Sequence, residues 1–362
     1  MISDRIEIKF FTLPLSATIY ITMNCNLRCK HCCFSCQPMK NPSFISVKNF
    51  NKILNKLVKG GVIKISLNGG EVTTHPFLKE ILREIYNTGI AWSLATNGTL
   101  LKEELIKIFY KYEPTSITVS LDGPDKETHE FIRGKNTFDK TVGAILLLRK
   151  YNINVHINTL LHKGVSKSKL IKLASFCLDN DLKLGFIGLY PKGRALKHWK
   201  ELALSDKEFY EFYKFITENK IILDAQKGNE TMSEIISLVP NNTCAAARSF
   251  FCIDEHGYTY PCDLFINTDF IGPNLLDNDV TVEQVWYSPK FTLIRRILID
   301  IVGCIFSPIC YRRKIGKCKP CPALAYSNYR NLYMPDPRCL FYPKTLGYIV
   351  KGLTIDDENV NN

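Results

Sequence analysis

Five cysteines crowd residues 25–36, and three of them, Cys25, Cys29 and Cys32, form a Cys-x3-Cys-x2-Cys run. The run follows directly on a strand-like stretch, Ser16-Ala-Thr-Ile-Tyr-Ile-Thr22. Three closely spaced thiolates can hold three irons of a 4Fe–4S cluster and leave the fourth iron open, whereas a closed electron-transfer cluster takes four protein thiolates. An open iron points to a cluster that does chemistry. Cys29, Cys33 and Cys36 repeat the same spacing. The first register is preferred because Cys25 sits at the strand exit and Asn24-Cys-Asn-Leu-Arg reads as a turn. Zinc also favours thiolates, but its structural sites usually pair two short Cys knuckles or add His. A disulfide set belongs to a secreted protein.

The chain has 362 residues, 46% of them hydrophobic, enough for two domains and a packed core. Its start, Met1-Ile-Ser-Asp-Arg-Ile-Glu, lacks the basic, apolar and small-residue segments of a secretory signal. The apolar stretch around Leu293–Ile309 is broken by Arg295, Arg296 and Asp300, so no membrane span is expected. A cytoplasmic, reducing setting is therefore expected, in which fourteen cysteines read as metal ligands rather than disulfides. The net charge of +12 is spread over helices without a long run of like charge. With no zinc-finger, RNA-binding or aromatic-basic pattern, nucleic acid is not an expected partner.

From residue 16 to about 190, β-rich runs alternate with helical patterns. The runs are Ile19–Thr22, Val62–Leu67, Ala91–Ala95, Ser116–Leu121, Asn154–Leu160 and Leu184–Leu189. Val47, Phe50, Ile53, Leu54, Leu57 and Val58 make one helical stripe, and Leu170, Ile171, Leu173, Ala174 and Phe176 another. Gly60-Gly61 and Gly89 are helix stops. Six such units predict a parallel sheet covered by helices, an α/β fold. Strand ends run into Asn68-Gly-Gly-Glu71, Thr96-Asn-Gly98 and Asp122-Gly-Pro124, which in a barrel-like fold share the active face.

The character changes after Gly193-Arg194. The expected division is a barrel over 1–195, a helical connector over 196–240, a Cys-rich iron–sulfur domain over 241–345 and a tail over 346–362. Cys177 falls on an apolar helix face and reads as a buried small hydrophobe. The other late cysteines, Cys244, Cys252, Cys262, Cys304, Cys310, Cys318, Cys321 and Cys339, number eight, the ligand count of two four-thiolate clusters. They lie in a Pro- and Tyr-rich, weakly periodic segment interrupted by a helical stretch, Thr281–Ile301, so folding coupled to metal binding is expected there.

Cys25-x3-Cys29-x2-Cys32, then Gly69-Gly70-Glu71, then Ser120-Leu-Asp-Gly123 resembles a radical S-adenosylmethionine (SAM) enzyme. Cys244, Gly257, Pro261-Cys262, Cys318-Lys-Pro-Cys321 and Asp336-Pro-Arg-Cys339 resemble the SPASM extension of that superfamily, which carries two auxiliary 4Fe–4S clusters. The likeness covers roughly residues 16–345 and implies for the six β/α units the partial (β/α)6, TIM-like barrel of that superfamily. The family's middle cysteines usually run Cys-x2-Cys-x5-Cys-x3-Cys; here Cys304-x5-Cys310-x7-Cys318-x2-Cys321 departs from that spacing, and Val72 stands where Pro often follows the Gly-Gly-Glu motif.

The resemblance implies that the first cluster and SAM together yield a 5′-deoxyadenosyl radical. It assigns Glu71 to the SAM amino group, with Gly69 and Gly70 permitting close backbone approach. Ser120 and, more weakly, Asn97 would contact SAM, and Arg133 would pair with its carboxylate; a strand-end hydroxyl and a surface ion pair are the ordinary alternatives. By analogy Cys244, Cys252, Cys262 and Cys321 hold one auxiliary cluster, and Cys304, Cys310, Cys318 and Cys339 the other. Asp263 matches the Asp of the Pro-Cys-Asp sequence in anaerobic sulfatase-maturing enzymes, where it is a general base; a turn cap is the plainer reading. Tyr258, Tyr260 and Tyr326 are candidates for the substrate space or for packing. The implied activity is modification of a peptide or protein side chain, with a flavodoxin- or ferredoxin-like electron donor. The segment before the first strand reads as too short for a fused peptide-binding domain, so either a separate leader-peptide recognition protein is expected or the site itself reads the target. The alternatives are small-molecule or cofactor biosynthesis and a non-catalytic zinc or iron–sulfur scaffold.

Overall fold

The computed structural model of the protein describes residues 10–227, 244–299 and 321–338. Six strands run parallel in chain order: β1 (Ser16–Tyr20), β2 (Lys64–Asn68), β3 (Ala91–Thr96), β4 (Ser116–Ser120), β5 (Val155–Leu160) and β6 (Lys183–Ile187). Between them lie α1 (Val47–Lys59), α2 (Leu78–Thr88), α3 (Glu103–Tyr112), α4 (Lys126–Arg133), α5 (Phe138–Lys150) and α6 (Lys167–Asp179). Parallel neighbours require such crossovers, and the helices bury the sheet. Ile19, Ile65, Ile117, Val119, Val155 and Ile157 are all fully buried, which suits β-branched side chains on a covered sheet.

The helical stripes pack inward at their centres, while Val58 is exposed and Val47, Ile171 and Phe176 are half-buried. In α1 the Ser46 side chain caps Asn49 N, and Phe50, Ile53, Leu54 and Leu57 turn inward before Gly60 ends the helix. In α6 the same periodicity buries Leu170, Leu173, Ala174 and Cys177. After β6 come the short α7 (Arg194–Lys197) and α8 (Trp199–Leu202), then α9 (Asp206–Glu218) and α10 (Lys220–Gln226).

The later segment adds to this sheet. β7 (Phe250–Ile253) pairs parallel with β1, placing Phe251 opposite Ala17 and Cys252 opposite Thr18; β8 (Thr259–Tyr260) returns antiparallel to β7. Phe250-Phe251-Cys252-Ile253 is a short apolar run whose strand character depends on a partner far away in sequence, so local pattern could not reveal it. The helical stretch expected at Thr281–Ile301 is two helices, α11 (Val282–Trp286), opened by a Thr281–Gln284 capping box, and α12 (Pro289–Ile299). Pro289 starts the second because proline suits a first turn and breaks an interior one. The last described helix is α13 (Pro322–Tyr329). Cys304, Cys310, Cys318 and Cys339, and the expected tail, lie outside the described residues.

One apolar core runs from the β/α units into this addition. Phe251 joins them: its ring lies 6.5 Å from Trp286 and 6.2 Å from Phe291, on a strand hydrogen-bonded to β1. Phe251→Ala is therefore expected to cost about 3–5 kcal/mol, the range for emptying a buried Phe site. Urea unfolding would show it as a lowered midpoint. A midpoint equal to wild type would mean that β7 does not share the core of β1.

Candidate active site

The final residue of each of the six parallel strands, Tyr20, Asn68, Thr96, Ser120, Leu160 and Ile187, lines one chamber of about 280 Å³. The same chamber is lined by Cys25, Cys29, Cys32, Cys33 and Cys36, by Gly69, Gly70 and Glu71, and by Asn97, Arg133 and Asp263. The strand-end grouping expected of a barrel-like fold is thus realised, and both cysteine registers reach the same space.

The cysteine loop is seated by backbone contacts. Gly70 N donates to Thr22 O and Glu71 N to Asn24 O, each at 2.8 Å, and Cys25 N closes the loop on Gln37 O at 3.2 Å. A Cβ on Gly69 would stand 2.5 Å from Thr22 O, and one on Gly70 2.3 Å from Asn24 O. The two glycines are required by the approach of the chain's own cysteine loop.

Glu71 lines the chamber and is also tied into the strand ends. Its carboxylate, 2% exposed, accepts from Thr73 N (3.2 Å), Thr73 Oγ1 (2.7 Å), Thr96 Oγ1 (2.6 Å) and Asn97 N (2.7 Å). Three of these bonds fall on Oε1 and one, from Asn97 N, on Oε2. Glu71 therefore ties the ends of β2 and β3 together. Asn97 is likewise engaged: its Nδ2 donates to Asn26 Oδ1 at 2.9 Å, and its Oδ1 accepts from Thr99 N and Oγ1. That places Asn97 as a latch on the cysteine loop.

Arg133 is buried rather than on the surface. Its Nε donates to Asp122 Oδ2 at 2.7 Å and its Nη2 stands 3.5 Å from His31 Nε2. Asp122, fully buried, also accepts from Leu160 N. Burial pushes the Asp122 carboxyl up, but Arg133, His31 and the Leu160 N–H together outweigh it and hold it at about 2. His31 stands between Cys29 and Cys32; burial, with Arg133 beside it, lowers its pKa to about 3, so the ring is neutral. The guanidinium keeps nitrogens beyond Nε for a ligand in the chamber. Ser120 is half-buried on the chamber wall.

On the other side stands Asp263. Tyr20 Oη donates to its Oδ2 at 3.5 Å and Leu264 N to its Oδ1 at 3.0 Å. Burial raises its pKa. The thiol of its neighbour Cys262 is raised by burial and by the charges of Asp263, Cys244, Cys321 and Cys252, so all four residues expected to share one cluster lie within electrostatic reach of one another. Tyr258 is exposed, Tyr260 donates to Asp254 and Tyr326 to Asp269, and none of the three lines the chamber.

The donor set suits an iron–sulfur cluster. Burial pushes the Cys25 thiol up to about 12 and raises Cys29, while the contact with Cys36 brings Cys32 down to about 6. Buried thiols of this kind ionise when a metal supplies the missing charge. Among the described residues, no three His, Cys, Asp or Glu side chains converge as a single metal ion demands; cluster thiolates bind separate irons and need only line one chamber.

Sequence reasoning missed Tyr20, Tyr190, Lys192 and Arg194. Tyr20 and Tyr190 line the chamber. Arg194, 8% exposed, donates to Cys29 O (2.9 Å), Ser35 O (2.9 Å) and Cys36 O (2.7 Å). Tyr20 was detectable as the last residue of a strand. Nothing local marked Arg194, which read only as a boundary.

The Asp122–Arg133 pair makes a stability prediction. A depressed carboxyl pKa stabilises the fold above the unfolded value of 3.8, and that contribution is lost as pH falls through about 2. Asp122→Asn leaves Arg133 buried without its partner and is expected to cost about 3–5 kcal/mol near neutral pH. The gap between the wild-type and variant urea midpoints should close between about pH 4 and pH 2. A gap unchanged over that window would contradict the pairing.

Residues 19–177 match the family model of the Radical SAM superfamily. The chain is similar to the antilisterial bacteriocin subtilosin biosynthesis protein AlbA of Bacillus subtilis, at 25% identity over 305 residues, 78% of this chain and 64% of AlbA. The match thus spans slightly less than two thirds of AlbA's length. It is also similar to the AdoMet-dependent heme synthase of Methanosarcina barkeri, at 26% over 349 residues, 89% of this chain and 95% of that protein. Two solved structures share the fold. Streptococcus suis SuiB bound to precursor peptide SuiA superposes with a TM-score of 0.69 at 19% identity, covering 91% of this chain and 77% of SuiB. Native anSMEcpe with bound AdoMet gives 0.70 at 21%, covering 94% of this chain and 98% of that one. No helix among the described residues is long and apolar enough to cross a membrane. Strand order, cysteine loop and family match agree that residues 19–177 form a Radical SAM superfamily domain.

Proposed function

We propose that this enzyme oxidises or crosslinks a peptide or protein side chain after abstracting a hydrogen atom from it. The observation that carries the reading is the shared chamber: Cys25, Cys29 and Cys32 line it together with Asp263, whose Oδ2 accepts from Tyr20 Oη. A radical-generating loop and a carboxylate of raised pKa then face one substrate. The name of AlbA, a bacteriocin biosynthesis protein, and the SuiB complex with a precursor peptide support a peptide as that substrate.

Cys25, Cys29 and Cys32 would hold the radical cluster, which supplies one-electron cleavage of SAM to a 5′-deoxyadenosyl radical. The Gly69–Gly70 backbone and the Ser120 hydroxyl border the space for SAM, and the free nitrogens of Arg133 suit its carboxylate. Asp263 Oδ2 takes the proton once a hydrogen atom and an electron have left the same substrate carbon, completing a two-electron oxidation. Cys244, Cys252, Cys262 and Cys321 would form the nearer auxiliary cluster and accept that electron. Cys304, Cys310, Cys318 and Cys339 would form a second. A flavodoxin- or ferredoxin-like donor would reduce the radical cluster, and a separate protein would recognise a leader peptide.

A second reading, small-molecule or cofactor biosynthesis, is favoured by the nearly end-to-end match to the heme synthase, 89% of this chain and 95% of that protein. Mass spectrometry separates the two. Anaerobically reconstituted enzyme with SAM and reductant should form 5′-deoxyadenosine and shift the mass of a candidate precursor peptide. A mass change confined to small molecules would replace the first reading with the second. In Asp263→Asn, 5′-deoxyadenosine formation should persist while modified product falls by about 100-fold or more, the scale of a lost general base. Because burial raises the Asp263 pKa, product formation should climb with pH above the ordinary carboxylate range as Asp263 ionises. A pH-independent rate would remove it from that role.

A further inference from the structure

We infer that Lys192, Gly193 and Arg194 form a two-sided clamp that sets the spacing between the cysteine loop and the Cys262–Asp263 turn. The inference rests on the proposed function, because it concerns where radical and base meet the substrate.

One side of the clamp is Arg194. Its guanidinium gathers three carbonyls of the cysteine loop, those of Cys29, Ser35 and Cys36, and its backbone N donates to Cys32 O at 3.0 Å. These four acceptors span the loop from the second triad cysteine to Cys36. A planar fork of donors reaches several carbonyls at once, which a lysine ammonium cannot reproduce in the same geometry. Gly193 fits against the same loop. Its φ is +59°, and a Cβ there would stand 2.4 Å from Cys33 O, so a side chain is excluded both by conformation and by space.

The other side is Lys192. Its Nζ donates to Leu264 O at 2.8 Å and Ile266 O at 2.6 Å, the turn that begins at Cys262 and Asp263. The same ammonium lies 5.4 Å from the centre of the Phe34 ring, which belongs to the cysteine loop. Three consecutive residues thus bind both walls of the chamber. The two walls come from distant parts of the chain and are also joined through the pairing of β1 with β7 and the Tyr20–Asp263 hydrogen bond. The clamp follows β6 and directly succeeds Tyr190 and Pro191, of which Tyr190 lies on the chamber wall.

Arg194 and Lys192 are positioning residues, and the two sides fail differently. In Arg194→Lys, the iron bound by the radical site and the SAM-sensitive electron paramagnetic resonance signal should fall by about tenfold or more, the usual cost of losing a partner that orients ligands. In Lys192→Met that signal should stay within about twofold of wild type, while 5′-deoxyadenosine formed per modified product rises by about tenfold or more, as misplacement of a reacting group predicts. Amide exchange of the unreconstituted variants keeps the test independent of turnover. Exchange should quicken in residues 25–37 for Arg194→Lys and in residues 262–266 for Lys192→Met, with the β1–β5 amides unchanged. Faster exchange throughout the sheet, wild-type iron and signal in Arg194→Lys, or a wild-type product ratio in Lys192→Met would overturn the clamp. Wild-type enzyme that binds iron and cleaves SAM yet modifies no peptide would instead remove the peptide reading, leaving the Arg194 and exchange results to decide the clamp.

Discussion

Two backbone hydrogen bonds, Gly70 N to Thr22 O and Glu71 N to Asn24 O, fix where the cysteine loop leaves the sheet. Everything that the chamber does follows from that seating. The loop enters directly from β1, presses on the end of β2 at a distance only glycine tolerates, and closes on itself through Cys25 N and Gln37 O. Glu71 then stiffens the platform from below by binding Thr96 and Asn97 at the end of β3, and Asn97 reaches back to Asn26. A buried carboxylate is stable in such a place because both of its oxygens accept hydrogen bonds. The motif that looked like a ligand-binding signature in sequence is first a joint between three strand ends.

The second requirement is charge. Several buried thiols and two carboxylates, Glu71 and Asp263, border one small space. Arg133, Lys192 and Arg194 stand around it, each anchored by protein acceptors rather than left in solvent. Asp122 is the most constrained of the anchors, since it holds Arg133 against the His31 side of the loop. Cations placed in this way oppose the accumulation of negative charge that thiolates and a bound cluster bring. The arrangement also separates roles across the chamber, with the cysteine loop and Arg133 on one wall and Tyr20, Asp263 and Cys262 toward the other.

Much of this was legible in the residues. The six strands and the stripes of α1 and α6 follow from local periodicity, and their burial matches it. The cysteine triad, Ser120 and Asp263 fall at strand ends or turns in the sequence, and they line the chamber together with Arg133. What remained hidden was long-range. The pairing of β7 with β1 needs a contact between distant segments. Arg194 has no local signature, because its function lies in which carbonyls it meets. The bonds by which Glu71 ties the strand ends were hidden for the same reason, because only its neighbours Thr73, Thr96 and Asn97 reveal them. Tyr258, Tyr260 and Tyr326 fell on the plainer of their two readings, outside the chamber lining.

The central claim is that Cys25, Cys29 and Cys32 hold the radical cluster although Cys33 and Cys36 share their chamber. Low-temperature electron paramagnetic resonance of the reduced Cys33→Ser/Cys36→Ser double variant, with and without SAM, tests it most directly. The account predicts a retained cluster signal that changes shape when SAM is added, at an intensity close to wild type. Loss of the SAM-sensitive signal and of its iron in that variant would contradict it and transfer the ligand set to Cys29, Cys33 and Cys36.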